Sequence, residues 1–157
     1  MKKLMLLAGL YFFLQPNLHA ASGSSNVKFG IAPTSASARA MAHFKENFAW
    51  VQEVTWFNEP DNMYCVFHQG NMVNRVFYDE HGYWQYTLIS YPPSSLTKTI
   101  KEKILNNFGG YKITYVNEIR SENYEPVYMI SMENEDNIKI IRISGDDMQV
   151  KQDLKKG

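Results

Sequence analysis

Residues able to do chemistry are few in this chain, and they are scattered. Of its four histidines, His43, His68 and His81 lie beyond residue 20. His43 stands one place before Phe44, with Glu46 and Asn47 one turn on. A metal or acid–base pair could use that spacing on a helix, but a solvated helix edge is its ordinary reading. His68 and His81 meet only if two strands stack favourably, and neither a cysteine nor a third histidine completes a tetrahedral zinc set. Asp79-Glu80 and Asp146-Asp147 are paired acids at turn signals. Aspartate suits such turns because its carboxylate accepts from nearby backbone N–H groups; calcium ligation or acid–base work is the rarer use. No Gly-rich phosphate loop, nucleophile elbow or His-Glu-x-x-His run occurs. Cys65 is the only cysteine, so no intramolecular disulfide is possible, and its apolar strand context reads as a buried, inert thiol. No catalytic residue, metal or cofactor is expected.

What remains is aromatic content, concentrated in Val54 to Ser90. Apolar and aromatic residues there fall between four evenly spaced turn signals: Asn58 to Asn62, Gln69 to Asn71, Asp79 to Gly82 and Tyr91-Pro92-Pro93. Short strands separated by such punctuation predict an antiparallel meander. Side chains alternate along a strand, which puts Val54 with Trp56 on one face and Phe57 on the other. In the fourth strand the same alternation groups Trp84, Tyr86 and Leu88 against Tyr83, Gln85, Thr87 and Ile89. A sheet with one solvated face shows cleaner polar alternation than this, so the second face is expected to be used or covered.

A helix precedes the meander. Ser35 or Ser37 can cap it, and Met41, Phe44 and Phe48 follow at spacings of three and four, predicting a helix over 36–48. After the proline stop, Ser94 or Ser95 can cap a second helix whose stripe is Leu96, Ile100, Ile104 and Phe108. Gly109 falls where a left-handed C-cap belongs. A second, more polar meander follows: Ile113 to Val116, Val127 to Met132, Ile138 to Ile143, and a short strand with Met148 and Val150. The tail 151–157 is expected to fray. The halves align about sixty residues apart, Phe44 and Phe48 falling on Ile104 and Phe108, and Tyr64 on Tyr124. The fold class is therefore α+β: tandem helix-plus-four-strand halves (34–91 and 92–157) forming one antiparallel sheet of about eight strands, with two helices on one face. Met41, Phe44, Phe48, Val54, Trp56, Ile100, Ile104 and Phe108 are expected in the core, with Trp84.

The ends and the charge bound the setting. Lys2 and Lys3, the apolar run Leu4 to Leu14 and the pair Ala20-Ala21 read as a secretory signal over 1–20, since eleven apolar residues fall short of the ~20 that span a bilayer. Residues 21–33, rich in Ser, Gly and Ala, read as a flexible tether. Without the two leading lysines, 14 basic residues face 16 acidic ones, a formal charge of −2. That balance, with no basic cluster, argues against nucleic acid and against an anionic membrane surface as partner. An exported location, periplasmic or extracellular, with no stable membrane insertion after cleavage, is the expectation.

The order of elements resembles the PepSY-like, beta-lactamase-inhibitor-like family of exported bacterial proteins. The residues that carry the resemblance are Phe44 and Phe48, Val54-Thr55-Trp56, Tyr64 with Phe67, and Tyr78-Asp79 followed by Gly82 and Trp84. Further on they are Pro93, the Leu96/Ile100/Ile104 helix, Gly110-Tyr111-Lys112-Ile113 and Val127-Tyr128. Here Glu80-His81 widens the usual tight Asp-Gly turn, and Gly109-Gly110 replaces a more proline-like helix exit. The resemblance implies helices on one sheet face, a concave face opposite, and a role in binding or restraining another protein. A shared fold does not fix a function, and no inhibitory loop can be matched residue by residue.

Phe57, Tyr64, Tyr83 and Tyr128 alternate against core neighbours and are the candidate partner-binding residues, with Phe57, Tyr64 and Tyr83 assigned to the open face. Such groups bury much area at small entropic cost. The expected function is a non-catalytic exported module recognising a protein or peptide. The alternative is a small enzyme or ligand carrier with a pocket between sheet and helices that uses His68 or His81.

Overall fold

The computed structural model describes residues 35–157. The predicted signal over 1–20 and tether over 21–33 lie outside the described residues. Helix α1 spans Ser35–Asn47 and α2 spans Lys98–Asn107, with a short 3-10 turn at Pro93–Ser95 between them. The strands are β1 (Thr55–Asn58), β2 (Asn62–Gln69), β3 (Met72–Asp79), β4 (Trp84–Tyr91), β5 (Lys112–Arg120), β6 (Val127–Glu133), β7 (Asn137–Ser144) and β8 (Asp147–Lys155). They form one eight-stranded antiparallel sheet in sequence order, each strand pairing with the next. This is the predicted α+β architecture.

Both helices lie on one face, each over its own apolar cluster. Under α1, Ala40 and Phe44 meet Met63, Cys65, Phe67, Val76 and Tyr78, with Phe48, Val54, Trp56 and Trp84 packed around them. Under α2, Ile104 and Leu96 meet Ile89, Tyr91, Val116, Ile130, Met132, Ile141 and Ile143, with Ile100 and Phe108 at the margin. Met41 joins neither cluster and is only half-buried. The inward stripe of α1 is Ser37, Ala40 and Phe44, because the small Ala40 lets the helix approach the sheet closely.

Polar residues mark the seam between the clusters. Thr87 accepts from Trp84 Nε1 at 3.1 Å. Glu118, buried, accepts from the Tyr91 hydroxyl at 2.7 Å and from Arg120 Nε at 2.6 Å. Burial and the adjacent carboxylate both push the Tyr91 hydroxyl well above its ordinary pKa, so Tyr91 stays a donor.

Three local expectations are corrected. Gly109 has no left-handed conformation; Phe108 closes α2 instead, its N–H donating to the Ile104 carbonyl at 2.8 Å. The tail does not fray from Lys151, because β8 pairs with β7 as far as Asn137↔Lys155. Tyr124 is no counterpart of Tyr64, since it sits in the β5–β6 turn with 75% of its surface exposed. The sixty-residue offset holds at the helix ends, where Phe48 N–H bonds the Phe44 carbonyl as Phe108 bonds Ile104, both at 2.8 Å. In the strands the offset becomes 65, Asn62↔Asp79 corresponding to Val127↔Ser144 (127 − 62, and 144 − 79).

Each helix is tied to a distant hairpin. Arg39 of α1 donates to the His81 carbonyl at 2.5 Å, and Lys103 of α2 donates to the Gly145 carbonyl at 2.7 Å, both across 42 residues of chain. At the first hairpin the backbone comes so close to α1 that a Cβ on Gly82 would collide with the Ala36 carbonyl, and Gly82 has φ +82°. Gly70, in the β2–β3 turn, has φ +56° but open space around it. Gly70→Ala should therefore cost about 1 kcal/mol, the left-handed penalty alone. Gly82→Ala should cost at least twice as much, because α1 must also move. Equal denaturation midpoints for the two variants would contradict this docking of α1.

Candidate protein-recognition face

Side chains on the face away from the helices are fixed by strand register. Phe57 lies opposite Tyr64, Tyr64 opposite Phe77, and Phe77 opposite Tyr86. Their rings stack in one line across four strands: centroids are 4.8 Å apart for Phe57–Tyr64, 5.2 Å for Tyr64–Phe77 and 4.6 Å for Phe77–Tyr86. Interplanar angles of 11°, 25° and 21° keep the rings nearly parallel. The spacing is close to the ~4.8 Å between neighbouring strands, so each ring stands upright and spends its faces on its neighbours. Phe57, Tyr64 and Tyr86 keep part of their surface exposed. Phe77, between two rings, is only 7% exposed, whereas Phe57 at the end is 40% exposed. Burial raises the Tyr64 and Tyr86 hydroxyls above their ordinary pKa, which keeps both protonated as donors.

The line exists because β4 carries one extra residue. Tyr78 pairs with Trp84 but Phe77 pairs with Tyr86, so Gln85 is a bulge. The bulge puts Trp84 with Thr87 and Ile89 on the helix face and Tyr86 with Leu88 on the open one. Strict alternation had grouped Trp84 with Tyr86, and the correction changes the candidate list. Asp79 holds the turn that sets up the bulge: its Oδ1 accepts from His81 N–H at 3.0 Å and Tyr83 N–H at 2.9 Å, and its Oδ2 from Gln85 Nε2 at 3.1 Å.

Of the four predicted residues, Phe57 and Tyr64 stand together in this line. Tyr83 does not; it sits in the turn on the helix side, 55% exposed, with the Arg39 guanidinium 4.4 Å from its ring centre. Nor does Tyr128, which pairs with Glu118 and Ile143 and packs on the helix face against the α2 cluster. In β6 both faces are apolar, so alternation alone could not say which one Tyr128 takes. Phe77 and Tyr86 were missed. Phe77 was legible as an alternation partner of Tyr64, but Tyr86 needed the bulge.

Beside the line, Arg75 lies on the same face between Val66 and Leu88. Arg75 donates to Ser90 Oγ at 3.3 Å, and Ser90 Oγ donates to Asn117 Oδ1 at 2.7 Å. The equivalent row in the second half is Asn117–Met129–Arg142–Gln149, which holds no ring. There Arg142 donates to Asp147 at 3.1 Å.

The histidines and the thiol fall elsewhere. His68 is exposed near the end of β2 and His81 sits in the β3–β4 turn, at opposite ends of β3, so they do not converge. Among the described residues, no cluster of three His, Cys, Asp or Glu could hold a metal ion. An open depression of about 600 Å³ is lined by Gly110, Lys112, Glu133, Asn134, Glu135, Asp136 and Lys156, at the sheet's end and away from both histidines. Cys65 is buried, and its burial pushes the thiol up to about 12. His43 is no solvated edge. Its ring stacks on Trp84 with centroids 5.7 Å apart, and its Nδ1 shares a hydrogen bond with the Tyr78 hydroxyl at 3.1 Å.

With the geometry in place, comparison fixes the fold. A BLIP-like protein from Bacteroides fragilis superposes with a TM-score of 0.64 at 13% identity, covering 82% of this chain and 92% of that one. The fold is BLIP-like. A DUF2874 family protein from Bacteroides ovatus gives 0.62 at 14% identity over 80% and 89% of the two chains. A Bacteroides eggerthii protein provisionally described as periplasmic gives 0.59 at 12% identity over 80% and 90%. No protein-family model and no curated protein matches the sequence. Among the described residues, no helix is long and apolar enough to cross a membrane.

The His43 contact has a pH signature. Burial lowers the His43 pKa below 6.5, outweighing the opposite pull of Glu46. The unfolded chain therefore takes up a proton near pH 6.5 that the folded chain refuses, and stability falls as pH drops below that point. The thermal midpoint should decline from pH 7 to 5.5, and His43→Gln should flatten that decline. An equally steep decline in the variant would remove His43 as its source.

Proposed function

We propose that this chain is a non-catalytic, exported binding module that recognises a protein partner through the open face of its sheet, at the Phe57–Tyr64–Phe77–Tyr86 line. One observation carries the reading. Four rings are stacked in one line on a face that neither described helix covers. Locked aromatic side chains lose little freedom on contact, so area they bury against a partner converts efficiently into affinity. The specialisation is confined to one half of an internally repeated sheet. Duplicated architecture alone does not call for rings at these positions, since the second half folds with Asn117, Met129, Arg142 and Gln149 there.

The fold class supports a binding role, and export rests on the predicted signal together with the neighbour provisionally described as periplasmic. The closer PepSY-like assignment rests on the residues alone, from Val54-Thr55-Trp56 to Val127-Tyr128. Whether the module restrains an enzyme or docks a receptor depends on the partner.

The experiment is capture of a partner from periplasmic and secreted extracts by the full chain, followed by titration of alanine variants that keep the wild-type thermal transition. Phe57→Ala and Tyr64→Ala should each weaken binding by about 1–3 kcal/mol. Tyr83→Ala and Tyr128→Ala, on the helix side, should leave affinity unchanged. Loss confined to the helix-side pair would overturn the reading.

A further inference from the structure

The open face has a feature that aromatic contact area does not account for. The chain has four arginines, and three of them have found strong partners. Arg39 holds the His81 carbonyl and covers the Tyr83 ring. Arg120 is paired with Glu118, and Arg142 with Asp147. Arg75 is the exception. Its guanidinium reaches a neutral serine hydroxyl at 3.3 Å and, among the described residues, no carboxylate within 4 Å. It is half-buried and flanked by Val66 and the buried Leu88. At Tyr64, burial and then the Glu59 carboxylate raise the hydroxyl pKa, and the Arg75 charge offsets part of that rise. A guanidinium held over apolar surface and given one long, neutral hydrogen bond keeps most of its five donors free.

The ring line bears on the same question. Its ring faces are spent on each other, so a planar sugar or base finds little face to stack on. What the line presents outward is ring edges, where the aromatic quadrupole is positive, together with the Tyr64 and Tyr86 hydroxyls. Positive edges, phenolic donors and an unpaired guanidinium on one surface all favour the same group, an anion with apolar flanks. A carboxylate also matches the planar fork of arginine in a bidentate pair.

We infer that Arg75 is the specificity residue of this face, and that the partner segment is an acidic peptide stretch: an Asp or Glu side chain paired with Arg75, flanked by apolar residues lying along the ring edges. The inference rests on the open-face reading and narrows its partner. Ser90 and Asn117 act behind Arg75 as positioning residues, holding the guanidinium level with the rings.

The test is selection on the immobilised full chain from a displayed library of random twelve-residue peptides. Enriched sequences should carry an acidic residue between apolar ones. A synthetic peptide from the most enriched clone should lose at least tenfold in affinity against Arg75→Met, which keeps an unbranched apolar stem, and should become less sensitive to salt. Replacing the peptide's carboxylate by the amide should cost a similar factor, and combining both changes should add little, as expected of a direct pair. Thermal transitions equal to wild type qualify the variant; if Arg75→Met fails to fold, Arg75→Gln takes its place. Clones without an acidic residue, or clones bound equally by the variant, overturn the inference. If such clones still lose affinity against Tyr64→Ala, the open-face reading survives without it. No enrichment, or clones indifferent to both substitutions, overturns both.

Discussion

One extra residue in β4 decides what each face of this sheet presents. Without the bulge at Gln85, Trp84 and Tyr86 would share a face, and either the tryptophan would leave α1 or the tyrosine would leave the ring line. With it, Trp84 stacks under His43 while Tyr86 ends the line that begins at Phe57. The bulge is in turn held by the Asp79 carboxylate, which accepts from two backbone N–H groups of the turn and from the Gln85 side chain. The same hairpin receives α1 at Gly82 and Arg39. A single turn thus couples helix docking, the aromatic core beneath α1 and the geometry of the open face.

That coupling divides the labour between halves. Both halves repeat helix, four strands and a helix-to-hairpin clamp, and both bury an apolar cluster under the helix. The first half alone carries stacked rings on the opposite face. Each ring contact there contributes about 0.5–1.5 kcal/mol beyond burial, so the line is also a rigidifying device. A surface locked in this way would also lose little entropy on contact with a partner, as the proposed function requires.

Much of the architecture was legible in the residues. Turn punctuation placed the strands, and the Ile100/Ile104 spacing placed α2, although Leu96 lies before that helix and Thr97, rather than Ser94 or Ser95, stands at its N-cap. The helix-end equivalence of Phe44 with Ile104 also holds. Illegible were facts that depend on pairing rather than on pattern. Tyr86 was hidden by a one-residue bulge, and Tyr128 by a strand that is apolar on both faces. Tyr83 was hidden by its place in a turn that α1 covers with Arg39. The charged tail from Lys151 read as frayed, yet it continues β8, whose Lys and Asp residues are what an edge strand carries to stay unpaired on its outer side, and Asp153 still reaches Lys139 across the β7–β8 pair. Arg75 was visible as a charge inside a strand, but that no carboxylate among the described residues lies within 4 Å of it is a property of the folded sheet.

Under the proposed function, the face that carries the rings is the one a partner covers. Carbene footprinting of the full chain, free and saturated with a captured protein partner, tests it directly. Labelling should fall at Phe57, Tyr64 and Arg75, with Trp50 and Leu105 on the helix side labelled as before. Protection of Trp50 and Leu105 with undiminished labelling of Phe57 and Tyr64 would contradict it.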